Sequence, residues 1–205
     1  MKLYLSSIGI PASEALATLV GKPLDETSVA LIPNAKDYYS ERAWEFTIGS
    51  RVEYMQGLGL KADVVNLKEY DEGSTLSTTL AKYDLVWAMG GNTFMLRYEM
   101  KRSGFDEIIG DLLGKGIVYG GDSAGALVAG LSIDGIESAD EPAFAEEVIN
   151  SGMGLAPFSV LPHVDNPEFA EVVPTFRDLH QDEEIIEIKD SQAVIVEDDA
   201  WRITG

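Results

Sequence analysis

The sequence predicts an α/β protein with three layers, in which a mostly parallel sheet is covered by helices on both faces. Short apolar β-rich runs alternate with helical patterns along most of the 205 residues. The central runs are apolar without interruption, which is typical of parallel strands buried on both sides. No repeat, low-complexity tract or linker divides the chain. We therefore expect residues 1–205 to form a single domain.

The predicted elements follow one another in a regular order. Strands are expected over residues 2–7, 28–33, 62–67, 84–89 and 116–119, and helices over residues 13–20, 40–58, 77–82, 93–100, 105–113 and 123–129. In the clearest helix, residues 40–58, the side chains of Trp44, Ile48, Val52 and Met55 form one apolar stripe because they recur at spacings of three and four. Ser13 or a neighbour is expected to cap the first helix. The last three runs, residues 185–188, 193–197 and 201–204, are joined by short polar turns and predict antiparallel strands at the sheet edge.

Composition excludes several kinds of partner and chemistry. The chain has 15 basic and 35 acidic residues and a net charge of −20, which disfavours nucleic acids and anionic membranes as partners. It has no cysteine and only two histidines, so thiol nucleophiles, disulfides and multi-histidine metal sites are excluded. No apolar run approaches the ~20 residues of a membrane span. We interpret the N-terminus as a strand rather than a signal peptide, which predicts a cytoplasmic protein.

A glycine-flanked serine is the first sign of chemistry. Residues 121–125 read Gly-Asp-Ser-Ala-Gly, after a predicted strand and before a predicted helix. This is the context of a nucleophile elbow, where glycines leave room for a sharp turn that exposes the serine hydroxyl. Ser123 is therefore a candidate nucleophile, and the backbone N–H of Ala124 is a candidate oxyanion donor. The competing interpretation is a small-residue turn that only packs a helix on the sheet.

A serine nucleophile needs a base, and His163 is the better of the two histidines. It follows an apolar run and Pro162, whereas His180 lies in an acidic segment and is expected to be solvated. The acid that orients such a base is expected between the serine and the histidine. Asp140 is the first choice for it, with Glu141 and Glu137 as alternatives.

A second turn supplies a further candidate. Residues 90–92 read Gly-Gly-Asn after a buried strand. This turn can direct a backbone N–H into the same cleft, because ligands of open α/β sheets bind beyond the carboxyl ends of the strands. The competing interpretation is a plain helix start with Asn92 as its N-cap.

Together these motifs resemble the peptidase E family of serine peptidases. The resemblance is carried by residues 90–94 (Gly-Gly-Asn-Thr-Phe), residues 121–126 and the Pro162-His163 pair, and it spans most of the chain between residues 31 and 163. It implies a flavodoxin-like or class I glutamine amidotransferase-like fold, a Ser-His-Asp or Ser-His-Glu triad, and cleavage of short peptides with an N-terminal aspartate. It also implies Gly91 and Ala124 as oxyanion donors.

The resemblance implies substrate-binding residues as well. Gly90 and Asn92 are expected at the substrate, and the family uses an arginine after the histidine to hold the aspartyl carboxylate. Arg177 matches that place, although it also reads as a surface arginine paired with Asp178 or Glu171. The residue before the serine is Asp122, a departure from the aromatic residue often found there. A carboxylate facing the cleft could repel an acidic substrate.

The sequence thus predicts a dipeptidase that needs no metal or organic cofactor, acting on a short peptide as a monomer or a homodimer. Two alternatives stay open. One is a catalytically degenerate relative that binds a small ligand in the same cleft. The other is a small esterase, which is disfavoured because the chain is short, lacks a His-Gly-Gly-Gly run, and continues with about three strands after His163.

Overall fold

The computed structural model describes residues 1–71 and 75–205, in which strands and helices alternate. The strands are β1 (Lys2–Ser6), β2 (Ser28–Ile32), β3 (Lys61–Val64), β4 (Leu85–Ala88), β5 (Val118–Asp122), β6 (Ser159–Leu161), β7 (Ile185–Glu187), β8 (Ala193–Glu197) and β9 (Ala200–Thr204). The helices are α1 (Ser13–Val20), α2 (Glu41–Gly57), α3 (Leu76–Leu80), α4 (Thr93–Arg102), α5 (Phe105–Gly114), α6 (Ala124–Leu127) and α7 (Val172–Leu179). No helix among these residues is long and apolar enough to cross a membrane.

The main sheet has seven strands in the order β3-β2-β4-β5-β1-β8-β9. The first five are parallel to one another, while β8 runs antiparallel to β1 and β9 antiparallel to β8. The predicted α/β fold class, with antiparallel C-terminal edge strands, is confirmed. Because all five parallel strands end at the same edge, the turns after β1, β4 and β5 are neighbours there.

Side chains of the central strands alternate between two apolar cores, one on each face of the sheet. Tyr4 and Trp87 belong to the core that α1 and α2 cover. Leu3 and Leu5 belong to the opposite core, which is covered by α3, α4, α5 and α7. The predicted stripe of α2 faces inward, with Ile48 and Met55 fully buried and Trp44 and Val52 packed against the same core.

Four local predictions differ from the structure. His180, expected to be solvated, is buried, and its Nε2 lies 3.0 Å from the Asp134 carbonyl oxygen. The run over residues 185–188 is not part of an edge meander, since β7 pairs in parallel with β6 in a separate two-stranded sheet. Ser13 does not cap α1, because Ala12 occupies the cap position without a side-chain hydrogen bond. β5 extends to Asp122, three residues beyond the predicted end, because its last residues pair with β1.

Candidate active site

The turn between β5 and α6 places Ser123 at the carboxyl edge of the sheet. Its backbone has φ 52° and ψ −112°, a conformation that non-glycine residues rarely adopt. The turn is held because the Ser123 N–H donates to the Ser6 carbonyl at 3.0 Å. A Cβ on Gly125 would lie 2.1 Å from the Ala88 carbonyl oxygen, so only glycine allows α6 to start this close to β4. The elbow predicted from the Gly-Asp-Ser-Ala-Gly motif is therefore present.

His163 lies across the cleft from this serine. It follows β6 and is buried, and its own backbone has φ 64°. The imidazole Nε2 is 2.9 Å from the Ser123 Oγ, and the ring stacks on Phe169 with a centroid separation of 4.3 Å. The structure thus brings together the two side chains that the sequence analysis paired, at the distance a nucleophile and its base require.

The carboxylate on the far side of the imidazole is Asp190, in the turn between β7 and β8. Its Oδ1 lies 2.6 Å from His163 Nδ1, and its Oδ2 accepts a hydrogen bond from Asn166 Nδ2 at 3.0 Å. Partial burial opposes ionisation of this carboxyl. Hydrogen bonds from His163, Ser7 and Asn166, together with attraction to the imidazole, outweigh burial and lower the pKa of Asp190.

Ser7 joins the same network from the end of β1 and is fully buried. Its Oγ accepts the backbone N–H of His163 at 3.0 Å, and its hydroxyl lies 3.1 Å from Asp190 Oδ1 and 3.0 Å from His163 Nδ1. Ser7 therefore fixes both the backbone of the histidine and the carboxylate that faces its ring. Neither Ser7 nor Asp190 was among the residues predicted from sequence.

The three carboxylates predicted as the acid have other partners, and Asp190 occupies the position given to Asp140. The Asp140 Oδ2 accepts hydrogen bonds from the N–H and the hydroxyl of Thr93, at 2.9 and 2.5 Å. Burial raises the pKa of Asp140 despite these hydrogen bonds. Glu141 and Glu137 each accept a hydrogen bond from a backbone N–H two residues away, at Ala143 and Gly135 respectively. Both carboxylates therefore accept hydrogen bonds within local turns, although their place in the sequence between Ser123 and His163 had made them candidates for orienting the histidine.

The predicted oxyanion donors border the serine. Ala124 is the first residue of α6, so its N–H has no acceptor within the helix. Gly91 has φ 151°, and a Cβ there would lie 2.3 Å from the Ala35 carbonyl oxygen. Within residues 1–71 and 75–205, neither N–H makes a hydrogen bond. Gly91 lines both cavities at the serine, whereas Ala124 is buried and lines neither.

The three predicted substrate-binding residues lie in different places. Gly90 packs behind the serine, since a Cβ there would lie 2.9 Å from Ser123 Cβ. Asn92 is buried, and its side chain caps α4 and donates to the Glu141 carbonyl, as the plain helix-start interpretation expected. Arg177 is exposed, forms an ion pair with Glu187 and does not line the cleft. The structure therefore places only the glycine of this group beside Ser123.

Two cavities flank the Ser123–His163 pair. The smaller has a volume of about 220 Å³ and is lined by apolar side chains such as Leu127, Leu161 and Phe169 and by the charged side chains of Lys36 and Asp140. The larger, about 370 Å³, is more open and contains charged side chains, among them Lys36, Arg51 and Asp122. Ser123, His163 and Gly91 border both cavities. A substrate lying across the serine would therefore contact charged and apolar side chains on both sides.

Comparison with known proteins finds relatives of this chain among peptidases. The sequence profile of peptidase family S51 matches residues 9–204. A peptidase of Listeria monocytogenes is 31% identical over 150 residues, which are 73% of this chain and 71% of that protein. A peptidase of Listeria innocua is 34% identical over 126 residues, 60% of each chain. Peptidase E of Shewanella amazonensis is 30% identical over 51% of this chain, and the match spans 43% of that protein.

Solved structures share the whole fold. A candidate peptidase E protein from Listeria monocytogenes EGD-e superposes with a TM-score of 0.84 at 26% identity, covering 99% of this chain and 97% of the other. A peptidase from an acI-B1 actinobacterium superposes with a TM-score of 0.72 at 18% identity, covering 100% and 87%. Because the family profile matches residues 9–204 of this chain, the chain belongs to peptidase family S51 and is an enzyme of the serine peptidase type.

Proposed function

We propose that this enzyme hydrolyses short peptides through an acyl-enzyme, with Ser123 as nucleophile, His163 as general base and Asp190 as the orienting acid. The proposal rests above all on the 2.9 Å separation of Ser123 Oγ and His163 Nε2. In this arrangement Nδ1 carries a proton that it donates to Asp190. Nε2 is then the basic nitrogen, and it faces the hydroxyl that must lose its proton.

The reaction follows from these positions. His163 Nε2 takes the Ser123 proton as Oγ attacks the scissile carbonyl, and Asp190 stabilises the imidazolium that forms. The N–H groups of Gly91 and Ala124 donate to the oxyanion. The imidazolium then protonates the leaving amine. A water molecule, activated by the same nitrogen, hydrolyses the ester and restores Ser123.

The finer proposal is a preference for dipeptides with an N-terminal aspartate, which rests on the resemblance to peptidase E. The arginine expected to hold the aspartyl carboxylate, Arg177, is engaged with Glu187 outside the cleft. The preference therefore needs a different cation. The open cavity next to Ser123 holds two, Lys36 and Arg51. They give the site a local positive charge in a chain whose net charge is −20.

Replacement of the nucleophile tests the mechanism. Ser123→Ala should lower the turnover of Asp-X dipeptides by at least ~10³-fold, by analogy with other serine peptidases. Ser13→Ala is a matched control, because Ser13 makes no cap hydrogen bond in α1 and lies outside both cavities at the serine. Hydrolysis that persists in Ser123→Ala would refute the assignment.

A fluorophosphonate probe separates the alternatives. Labelling that disappears in Ser123→Ala and persists in Ser13→Ala supports the activated serine. A wild-type protein that stays unlabelled and cleaves no dipeptide would support the ligand-binding relative. Cleavage of short-chain aryl esters without cleavage of any dipeptide would support the esterase.

A further inference from the structure

The open cavity beside Ser123 has an excess of positive charge. Two cationic side chains, Lys36 and Arg51, line it, and the carboxylate that lines it is Asp122. In a chain with 35 acidic and 15 basic residues, a cleft whose lining contains two cations and one carboxylate differs from the average surface. Such a cleft attracts an anionic group of a ligand.

Asp122 holds Arg51 in place and leaves most of its donors available. The Asp122 carboxylate is 5% exposed, accepts Arg51 Nη2 at 2.9 Å on one oxygen, and accepts Trp87 Nε1 at 2.8 Å on the other. The guanidinium carbon also lies 5.7 Å from the centre of the Tyr54 ring. A guanidinium has five N–H donors, and this ion pair is the hydrogen bond that Arg51 makes within the described chain. The side chain is 20% exposed and lines the open cavity, so N–H donors that Asp122 does not use remain for a ligand there.

Lys36 brings the second cation to the same wall. Its Nζ lies 5.2 Å from the centre of the Tyr39 ring. Among residues 1–71 and 75–205, no carboxylate approaches this ammonium within 4.0 Å. Lys36 and Gly91 both border the open cavity and the smaller cavity. Lys36 is therefore the second cationic residue that lines the cleft at Ser123.

We propose that this wall is a carboxylate-binding subsite, in which Arg51, held by Asp122, and Lys36 bind a carboxylate of the substrate next to the scissile bond. The inference rests on the proposed peptide hydrolysis and names the residues that select its substrate. It also gives Asp122 a role, because the carboxylate before the nucleophile positions a substrate-binding arginine. Two carboxylates of an Asp-X dipeptide have the required chemistry, the aspartyl side chain and the C-terminal carboxylate.

Binding to a protein without the nucleophile tests the subsite separately from turnover. In the Ser123→Ala background, calorimetry would give Kd values for Asp-Ala, Asn-Ala and Asp-Ala amide. We expect Asp-Ala to bind about 10- to 100-fold more tightly than one of the two neutralised analogues, the range for a charge-assisted hydrogen bond. A penalty for Asn-Ala identifies the aspartyl side chain as the ligand, and a penalty for the amide identifies the C-terminal carboxylate.

Variants then assign the effect to residues. Adding Arg51→Met should abolish the advantage of Asp-Ala, and adding Lys36→Met should reduce it. Because Arg51→Met leaves the buried Asp122 carboxylate unpaired, the double change Arg51→Met with Asp122→Asn provides a folded comparison. Arg177→Ala is the matched control, since that arginine is exposed and outside the cleft, and it should leave all three Kd values unchanged.

Three results would overturn the subsite. The first is equal Kd values for the three peptides, and the second is that none of the three binds. The third is that Asp-Ala still binds more tightly than its analogues after Arg51 has been replaced. None of these depends on catalysis. The proposed hydrolysis fails separately, if wild-type protein cleaves no dipeptide and Ser123 resists the fluorophosphonate.

Discussion

Replacing Asp190 by asparagine should stop His163 from acting as a base, because the imidazole would carry its proton on Nε2 instead of Nδ1. The hydrogen bonds around residue 190 explain this shift. Asn166 Oδ1 accepts the backbone N–H of Glu168 at 3.0 Å, which fixes its amide so that Nδ2 donates to residue 190. In Asp190→Asn the new amide oxygen must face that donor. The new NH₂ group then faces His163 Nδ1, which has to be unprotonated to accept from it. The proton moves to Nε2, the atom that should take the proton of Ser123.

The expected loss is about 10⁴-fold in kcat with little change in KM, the size found when the same tautomer shift is forced in another serine peptidase. Asp140→Asn is the matched comparison. The Asp140 Oδ2 accepts both hydrogen bonds from Thr93, and an amide oxygen can accept the same two. We therefore expect less than about a tenfold change in kcat for Asp140→Asn.

Steady-state hydrolysis of an Asp-X dipeptide by the two variants measures this contrast, and circular dichroism with thermal unfolding verifies that both are folded. The reasoning is refuted if Asp190→Asn keeps the wild-type kcat. It is equally refuted if Asp140→Asn loses as much activity as Asp190→Asn, a result that would return the acid to residue 140.

Three further predictions test the supports of the site. Ser7→Ala should lower kcat about tenfold and leave KM unchanged, because the His163 N–H and the Asp190 carboxylate each lose a hydrogen-bond partner; an effect confined to KM would contradict a positioning role. Gly91→Ala should destabilise the fold by about 1–3 kcal/mol in urea unfolding, since its Cβ would lie 2.3 Å from the Ala35 carbonyl oxygen; unchanged stability and activity would refute this contact. The lowered pKa of Asp190 means that the native protein binds fewer protons there than the unfolded chain. Its stabilising contribution is therefore full above the unfolded pKa of about 3.9 and is lost as the pH falls through the lower native pKa. Urea unfolding from pH 7 to pH 2 should show the stability difference between wild type and Asp190→Asn shrinking at acid pH, and a constant difference would contradict it.

The sequence predicted the main sheet well because the information needed is local. Uninterrupted apolar runs and one amphipathic stripe are properties of short segments, and both faces of the sheet are buried as the pattern indicated. The pairing of β7 could not be predicted this way. Ile185–Glu187 reads as an edge strand, yet its partner is β6, 26 residues earlier by the register of Ser159 with Ile185. Strand partners depend on tertiary packing, which a periodicity does not contain.

The candidate site divides in the same way. Ser123 could be predicted because its turn demands glycines at fixed positions, and His163 because the chain has only two histidines. The carboxylate that faces His163 could not be identified from its position along the chain, because the sequence has 35 acidic residues. A usable signal did exist. Ser7 follows directly on β1, and Asp190 lies three residues after the end of β7. Residues that follow the carboxyl ends of strands are candidates for the site in this kind of fold.

The proposed catalytic network is divided between two sheets, and this has a consequence for how its activity could be tuned. His163 and Asp190 follow β6 and β7, which pair only with each other among the described strands, whereas Ser123 follows a strand of the large sheet. Ser7, which follows β1 of the large sheet, hydrogen-bonds the His163 backbone and the Asp190 carboxylate and so links the two sheets. A displacement of the β6–β7 unit would lengthen the gap between hydroxyl and imidazole only by breaking these hydrogen bonds. Substitutions in the seam between the two sheets that weaken this link would therefore slow acylation although they lie away from any substrate.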